Sequence, residues 1–181
     1  MPSEEFPVYE LEEVKSQINI SSKNLKTIIS NTSFVIEVQG VKDFLNGLYL
    51  SIDDKTITAV AATSHTLAKD SVTLNEAVSE NIDGIVPKKA ITEIGKLVGE
   101  ESENVVIKLG RTSISINISG TTFVSNLIAR KFPDYEQFIP PGEGSTLVVD
   151  RKMFSESLSR VSVLSVSYTH LRAHETREDL G

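Results

Sequence analysis

The chain has 181 residues, a formal net charge of −7, and neither cysteine nor tryptophan. This length suits one domain and part of another. Without cysteine, the sequence excludes a disulfide scaffold, a cysteine-ligated zinc site, an iron–sulfur cluster and a thiol nucleophile. No apolar run approaches the roughly 20 residues that cross a bilayer, and the acidic N-terminus lacks the apolar segment of a secretory signal. We therefore expect a soluble protein of the cytoplasm, with no membrane partner.

The first part of the chain predicts one strand, one helix and three further strands. Residues 17–20 alternate like a half-buried strand, and Ser21 or Ser22 can cap a helix that extends to about Thr32. A loop follows, and then three predicted strands, at residues 48–52, 56–62 and 66–73. The polar break at residues 53–55 is suited to a hairpin turn.

The same order of elements then recurs. A short strand at residues 84–86 leads to Pro87, which we expect at the first helical position, where proline is tolerated. The second helix carries an apolar stripe at helical spacing: Ala90, Ile91, Ile94, Leu97 and Val98. Three more strands are predicted at residues 105–109, 112–118 and 122–128, with turns at 110–111 and 119–120. The chain therefore predicts an α+β fold of two β-α-β-β-β repeats, with the helices on one face of antiparallel sheet.

A third copy of this opening follows the Pro-Pro-Gly sequence at residues 140–142. Residues 147–149 predict a strand, Asp150 predicts a helix cap, and later residues form an apolar helical stripe: Phe154, Leu158 and Val161. This spacing indicates a tandem array of domains in which the next copy has just begun. The alternative is an accidental match, since a strand, a cap and a helix form a common unit. A helix with no sheet to cover it would leave its apolar side chains exposed.

Lysine residues are concentrated on the two predicted helices. The first helix contains no acidic residue and the second contains Glu93 alone, whereas acidic residues are frequent in the N-terminal segment and the loops. Basic helices in an acidic chain are typical of a protein that turns one face toward phosphates. The alternative is that these lysines simply decorate exposed helix surfaces.

A group of motifs in matching order connects the chain with a known family. They comprise Lys-Phe-Pro-Asp-Tyr at residues 131–135, Phe-Ile-Pro at 138–140, and the segments at residues 5–7, 39–47, 60–68 and 86–90. On these motifs the sequence resembles the bacterial DNA sliding clamps, the beta subunits of DNA polymerase III, from about Glu4 to Ser165. The resemblance implies three parts: residues 1–15 end the first clamp domain, 16–141 form the complete middle domain and 142–165 begin the third.

The character of the sequence changes at Val166. Residues 166–181 resemble a translated sequencing adapter, so we expect them to be a non-native tail. His170 and His174 have the spacing of a metal pair on a helix, but no third ligand is evident in the sequence. We interpret this pair as accidental and expect neither a metal nor a cofactor.

The family resemblance implies a ring of two chains that encircles DNA, with helices lining the hole and sheets forming the outside. Such a processivity factor holds double-stranded DNA without reading its sequence and tethers the replicative polymerase, as a non-catalytic subunit. The implied partners are double-stranded DNA, DNA polymerase III, other clamp-binding proteins, the clamp loader and a second copy of the chain. The candidate DNA-binding residues are Lys23, Lys26, Gln39, Lys42, Lys88, Lys89 and Lys96. The alternative is a stand-alone module that binds peptides and does not encircle DNA.

The resemblance also implies an apolar groove in which short peptides of polymerases and repair proteins dock. Its candidate residues are Leu45, Ala62, Ser64, His65, Thr66, Leu67, Pro133, Gln137 and Phe138. Where the family commonly has Thr-Asp-Gly-His-Arg-Leu, residues 62–67 are Ala-Thr-Ser-His-Thr-Leu, so the arginine is missing from the polar part of the groove. Structural roles are the alternative, with Leu45 and Leu67 as core residues and His65 as a turn residue.

The sequence does not predict an enzyme. Ser64 and His65 are adjacent, and neighbours on a strand point to opposite faces, so they do not form a nucleophile–base pair. The nucleophile elbow, the P-loop and the dinucleotide-binding glycine motif do not occur. A hydrolase would therefore lack any recognisable set of catalytic residues.

Overall fold

The structure is a computed structural model that describes residues 16–38, 40–78, 80–99, 104–142 and 145–162. The expectations for residues 1–15, for Gln39 and for the tail at 166–181, with its His170 and His174, lie outside the described residues. The chain divides into two compact units, one ending at Tyr135 and the other beginning at Glu136. In the described ranges, no helix has the length and apolar character needed to span a bilayer.

The described part of the first unit contains the predicted order of strand, helix and three strands twice. The strands are β1 (Ser16–Ser21), β2 (Gly47–Asp53), β3 (Thr56–Ala62), β4 (Leu67–Thr73), β5 (Ile82–Pro87), β6 (Asn104–Leu109), β7 (Ser113–Ile118) and β8 (Thr121–Asn126). The helices are α1 (Ser22–Thr32) and α2 (Lys88–Leu97), and short 3-10 helices occur at Ser33–Val35 and Asp43–Leu45. The prediction of two β-α-β-β-β repeats is confirmed.

The two repeats exchange their first strands. Sheet A has the strand order β1-β6-β7-β8 and sheet B the order β4-β3-β2-β5, so each sheet takes three strands from one repeat and one from the other. All of these pairings are antiparallel. The sequence pattern predicts two consecutive units, because hydrophobic periodicity reports local structure and contains no signal for so distant a pairing. The two halves of the fold are interlocked and share an approximate two-fold relation of topology.

One hydrophobic core lies between the two helices and the inner faces of both sheets. In β2, Leu48, Leu50 and Ile52 point into this core and alternate with outward-facing residues. Sheet A and the helices contribute Ile18, Ile20, Leu25, Ile28, Ile29, Ala90, Ile91, Ile94, Val105, Ile107, Leu109, Ile114 and Ile116. Each large aliphatic side chain buried in this way contributes about 1.5–3 kcal/mol. The helices therefore cover the inner faces, and the outer faces of the sheets point away from them.

The two helices begin in different ways. Ser21 caps α1 as predicted, because its Oγ accepts a hydrogen bond from the Asn24 N–H at 3.2 Å. Pro87, expected as the first helical residue, is instead the last residue of β5, with φ −57° and ψ 145°. β5 is an edge strand, where proline is tolerated, and α2 begins one residue later, at Lys88.

The ends of two other elements differ from the predictions. Leu97, expected in the apolar stripe of α2, is 39% exposed, whereas Val98 after the helix is 2% exposed and belongs to the core. Ile128, expected at the end of β8, lies beyond that strand and forms an isolated bridge with Ile85. Periodicity locates the middle of an element better than its last turn or residue.

Two hairpin turns have a backbone conformation that their residue types favour. Ser119 and Gly120, between β7 and β8, have φ values of 48° and 84°, the left-handed geometry of a two-residue type I′ turn. Asp54, between β2 and β3, has φ 47°, a conformation that Asp adopts more readily than most residues. Both turns lie where the sequence predicts them.

The second unit contains a 3-10 helix at Glu136–Phe138 and a helix, α3, at residues 151–162. Asp150 caps α3 as predicted, with Oδ1 accepting the Met153 N–H at 2.9 Å. The strand predicted at residues 147–149 is irregular instead, because a strand requires a partner for its backbone groups. The apolar residues of α3 are exposed as expected: Phe154, Leu158 and Val161.

Candidate functional site

The strand exchange defines equivalent positions on the outer faces of the two sheets. Ser21 precedes α1 and Pro87 precedes α2, so two residues back along each strand Asn19 and Ile85 are equivalent. The ladders extend these positions into two rows of outward-facing residues. The outer row of sheet A is Asn19, Val106 and Asn117, and the outer row of sheet B is Ile85, Tyr49 and Val60.

The outer row of sheet B forms the base of a second apolar cluster, separate from the core. Val60 and Ile85 are buried on this face although it points away from the helices. The outer apolar patch consists of Phe44, Tyr49, Val60, Ala62, Leu67, Ile85, Ile128, Phe132 and Tyr135. Most of its members are half-buried, so the patch keeps accessible apolar surface.

The segment that follows β8 covers the patch with aromatic side chains. The Ile128 N–H donates to the Ile85 carbonyl at 2.9 Å and fixes the start of this segment against β5. The Phe132 ring stacks on Tyr49, with 4.7 Å between centroids and 15° between planes. Phe44 meets Phe132 edge-on at 6.2 Å, and Tyr135 lies 6.1 Å from Tyr49. Aromatic pairs of this kind contribute about 0.5–1.5 kcal/mol beyond their burial.

Tyr49 lies at the centre of the patch. Burial raises the pKa of its phenol above the ordinary value, and the negative charge of Asp83 raises that pKa further. The Tyr49 phenol therefore keeps its proton to a higher pH than an exposed tyrosine, and its ring stacks on Phe132. Across the part of the chain that the structure describes, no group of three or more His, Asp and Glu side chains could hold a metal ion.

The turn between β3 and β4 borders the patch. Thr63 Oγ1 accepts the backbone N–H groups of His65 at 3.1 Å and Thr66 at 3.0 Å. The hydroxyl of Thr66 lies 2.6 Å from that of Thr63, and the Thr63 N–H donates to the Thr66 carbonyl at 2.8 Å. Because Thr63 Oγ1 accepts two backbone N–H groups, its own proton is donated to Thr66 Oγ1, and the turn offers a ligand the side chains of Ser64 and His65 and the remaining O–H of Thr66.

The structure brings some of the predicted groove residues together and separates others. Ala62 and Leu67 are paired across β3 and β4 and belong to the outer apolar patch. Leu45 is 5% exposed, so it offers little surface to a ligand. Pro133 is exposed and follows Phe132 of the patch. Gln137 and Phe138 belong to the second unit, in its 3-10 helix.

The predicted DNA-binding lysines lie on the two helices and the loop before β2. The helices are neighbours, with a cleft between them lined by Lys26 and Ile29 of α1 and Ile91 of α2. The exposed lysines among the predicted ones are Lys23, Lys26, Lys42, Lys89 and Lys96. We name the exposed surface of α1 and α2, together with Lys42 of this loop, the helix face. Phe44 of the same loop belongs to the outer apolar patch.

The ammonium groups of Lys88 and Lys96 contact other groups of the protein. Lys96 Nζ lies 2.9 Å from Glu93 Oε1, one turn away on α2, and both side chains are exposed. Lys88 is half-buried, and its Nζ donates to the Ile36 carbonyl at 2.7 Å. Exposed pairs such as Lys96–Glu93 contribute about 0–1 kcal/mol and rearrange easily. A half-buried ammonium on a backbone carbonyl is held more firmly.

A family model described as the central domain of the DNA polymerase III beta subunit matches residues 19–134. The chain belongs to this family. It is 34% identical to the beta sliding clamp of Pseudomonas aeruginosa over 165 residues, which cover 91% of the chain and 45% of the relative. It is 33% identical to the beta sliding clamp of Rickettsia felis, covering 92% of the chain and 45% of the relative.

Solved structures of the family share the fold. A crystal structure of the Pseudomonas aeruginosa sliding clamp matches 90% of the chain and 44% of that clamp, with a TM-score of 0.82 and 32% identity. A second structure of this clamp, bound to griselimycin, gives a TM-score of 0.83 at 33% identity, with 90% of the chain and 44% of the clamp covered. The chain spans less than half the length of the relatives it matches. The resemblance drawn from the sequence motifs is confirmed, as is the clamp fold.

Sequence reasoning missed several members of the outer apolar patch: Phe44, Tyr49, Val60, Ile85 and Ile128. A signal exists for Val60, since residues 59–62 are an unbroken apolar run. A strand that is buried on one face alternates, whereas a continuous apolar run indicates burial on both faces. This run predicts that something covers the outside of β3.

Proposed function

We propose that the chain supplies the central part of a bacterial sliding clamp, a non-catalytic processivity factor of the cytoplasm. The whole clamp encircles double-stranded DNA as a ring of two chains, is placed there by a clamp loader, and tethers DNA polymerase III and other clamp-binding proteins. In this proposal the helix face turns toward the DNA and the outer apolar patch receives peptides of the partners. Family membership supports the general role.

The observation that carries the proposal is the separation of two surfaces on one compact unit. The helix face carries exposed lysines and one acidic residue on its helices, Glu93. The outer apolar patch lies on the opposite side of sheet B, because strand residues alternate between the core and the outside. A ring that holds DNA inside and partners outside needs this separation.

The helix face suits loose attraction to phosphates. Its lysines are exposed point charges on flexible stems, which attract a phosphate backbone without reading bases. A closed ring holds DNA by topology, so weak and water-softened contacts are sufficient and allow sliding. The net charge of −7 is compatible with this role, since the distribution of charge decides where a polyanion lies.

The outer apolar patch suits a short peptide with apolar side chains. Leu67 and Ala62 offer aliphatic surface, and the turn beside them presents Ser64 and His65 as polar groups. Thr66 stands where the family commonly has arginine, so the turn supplies a short neutral hydroxyl in place of a long cation. We therefore expect the peptide to be held mainly by apolar contacts at this end.

The helix face is tested by the salt dependence of binding to a labelled DNA duplex. The test variant replaces three exposed lysines by Ala: Lys23, Lys26 and Lys89. The control variant removes the same charge elsewhere: Lys55, Lys108 and Arg111. Removing one lysine that neutralises a phosphate should lower the slope of log K against log salt by about 0.9, so the test variant should show a clearly smaller slope and the control should not. Equal slopes in both variants would contradict the proposal.

The outer apolar patch is tested with overlapping synthetic peptides that cover DNA polymerase III. Leu67→Ala should weaken the binding of a captured peptide about tenfold, because it removes aliphatic surface at the border of the patch. Val124→Ala, on the outer face of sheet A, is the matched control. Peptide binding by a chain that shows no attraction to duplex DNA would favour the stand-alone peptide-binding module. Retention on circular DNA that disappears when the DNA is cut would support encirclement.

A further inference from the structure

One residue of α2 holds both ends of the loop that leads to β2. The loop runs from Ile36 to Asn46 and carries Lys42 of the helix face. The backbone N–H of Lys88 donates to the Asn46 carbonyl at 3.0 Å, and its Nζ donates to the Ile36 carbonyl at 2.7 Å. Lys88 therefore closes the loop at its base with two different donors.

The inside of the loop is also braced. The Asn46 side chain accepts the Gly40 N–H through Oδ1 at 2.8 Å and donates through Nδ2 to the Gly40 carbonyl at 3.0 Å. The Glu37 N–H donates to the Leu45 carbonyl at 3.2 Å, across the base of the loop. A side chain at position 40 would collide with the Glu37 carboxylate and approach Asn46 Oδ1 to 3.2 Å. These hydrogen bonds join Glu37 to Leu45 and Gly40 to Asn46 within the described part of the loop.

Lys88 and its neighbour Lys89 differ in their surroundings. Lys88 is half-buried with its ammonium on a carbonyl, whereas Lys89 is exposed. An ammonium that leaves the Ile36 carbonyl for a phosphate would leave a partly buried backbone acceptor without its partner, which is costly. Sequence alone treats the two residues as equal candidates for phosphate contact.

We propose that Lys88 is a positioning residue, which holds the loop that presents Lys42 to DNA and does not itself contact phosphate. This proposal rests on the proposed function of the helix face. A loop already held in its bound shape loses less conformational entropy when it meets a ligand. Lys88 then acts through the position of Lys42, and Lys89 acts directly by its charge.

The hold of Lys88 on the loop is tested without DNA, by amide hydrogen exchange measured with NMR. Lys88→Met keeps the side-chain length and the backbone donor but removes the Nζ donor. Exchange at Gly40 and Glu37 should become about tenfold faster, the effect expected for the loss of one such hydrogen bond. Lys89→Met is the matched control and should leave both amides unchanged. Unchanged exchange in Lys88→Met would overturn the proposal.

The action on DNA is tested in a background that lacks the loop charge, Lys42→Met. In that background Lys88→Met should not reduce the salt slope of duplex binding further, whereas Lys89→Met should reduce it by about 0.9. A further reduction of about 0.9 from Lys88→Met would make it a phosphate contact and overturn the proposal. If the unmodified chain binds no duplex at low salt, the proposed function of the helix face fails and positioning for DNA fails with it. The exchange result still decides whether Lys88 holds the loop.

Discussion

The outer faces of the two sheets differ although their inner faces match. In the row two residues before each helix, sheet B has Ile85, Tyr49 and Val60, whereas sheet A has Asn19, Val106 and Asn117. In the next row, the first three strands are polar in both sheets, with Asp83, Ser51 and Thr58 in sheet B and Gln17, Lys108 and Ser115 in sheet A; the fourth strand adds Ser71 in sheet B and Val124 in sheet A. Sheet A forms the same ladders without an apolar outer row. The fold therefore does not require the outer apolar patch, which points to a role in covering or binding.

The strongest test of this difference is the removal of the Phe132 side chain, whose aromatic ring covers the outer face of sheet B. Phe132→Ala should lower the free energy of unfolding by about 3–5 kcal/mol, because Phe132 is buried and stacks on Tyr49. Val124→Ala, on the outer face of sheet A, should cost less than about 1 kcal/mol. Urea unfolding of the two variants measures both values. Similar losses would mean that the two outer faces contribute equally.

An exchange of equivalent residues tests the comparison directly. Val60→Asn should lower the free energy of unfolding by about 2–4 kcal/mol, since it places an amide under the aromatic cover. Asn117→Val, the reverse change in sheet A, should alter it by about 0.5 kcal/mol or less. Asn117 is half-buried and donates to the exposed Thr122 hydroxyl at 2.9 Å. A tolerated Val60→Asn would show that the patch is not apolar in solution.

The hairpins at equivalent ends of the sheets provide a smaller test. The β7–β8 turn uses left-handed backbone at Ser119 and Gly120, whereas the β3–β4 turn relies on the Thr63 hydroxyl. Thr63→Val should cost about 1 kcal/mol in thermal or urea unfolding, because two backbone N–H groups lose their acceptor. Thr66→Val is the control and should cost less, since the Thr66 hydroxyl pairs with the Thr63 hydroxyl and accepts no backbone N–H within the described turn. Equal losses of unfolding free energy in the two variants would indicate that the two hydrogen bonds from backbone N–H groups to Thr63 add no stability.

The smallest expected effect concerns the Tyr49 phenol and appears only at alkaline pH. The pKa of Tyr49 is raised in the folded protein, so the folded state holds its proton longer than the unfolded state does. Its contribution to stability is complete below the unfolded pKa of about 10 and is lost as pH rises through the folded pKa. Tyr49→Phe should therefore unfold with a weaker dependence on alkaline pH. Identical pH profiles in urea unfolding would contradict a raised pKa.

The sequence predicts what local physics determines. The strand, helix and cap around Ser21, and the cap at Asp150, follow from alternation, helical spacing and a short polar side chain at a helix start. Pro87 and Leu97 lie at element ends, where the choice between two adjacent residues depends on tertiary packing. These are the places at which the predicted boundaries are wrong.

The functional surfaces are less accessible from the sequence because they depend on contacts between distant residues. Ala62 and Leu67 lie in a family motif, whereas Tyr49 and Ile85 join them only through the exchange of β5 into sheet B. In the sequence, the lysines of the helix face are equivalent charges. The Lys88 ammonium donates to the carbonyl of Ile36, which lies 52 residues earlier in the chain. This is a tertiary contact, which residue spacing in the sequence does not predict.

The exchange of first strands has a consequence for the origin of the domain. Ser16 of the first repeat pairs with Leu109 of the second, and Gly47 of the first pairs with Pro87 of the second. A chain with a single repeat would have its first strand and its other three strands in different sheets. Two identical chains of this kind would give each first strand a pairing partner by exchanging these strands, as a symmetric dimer. A tandem duplication that joined the two chains would preserve those pairings and convert the dimer into the present domain.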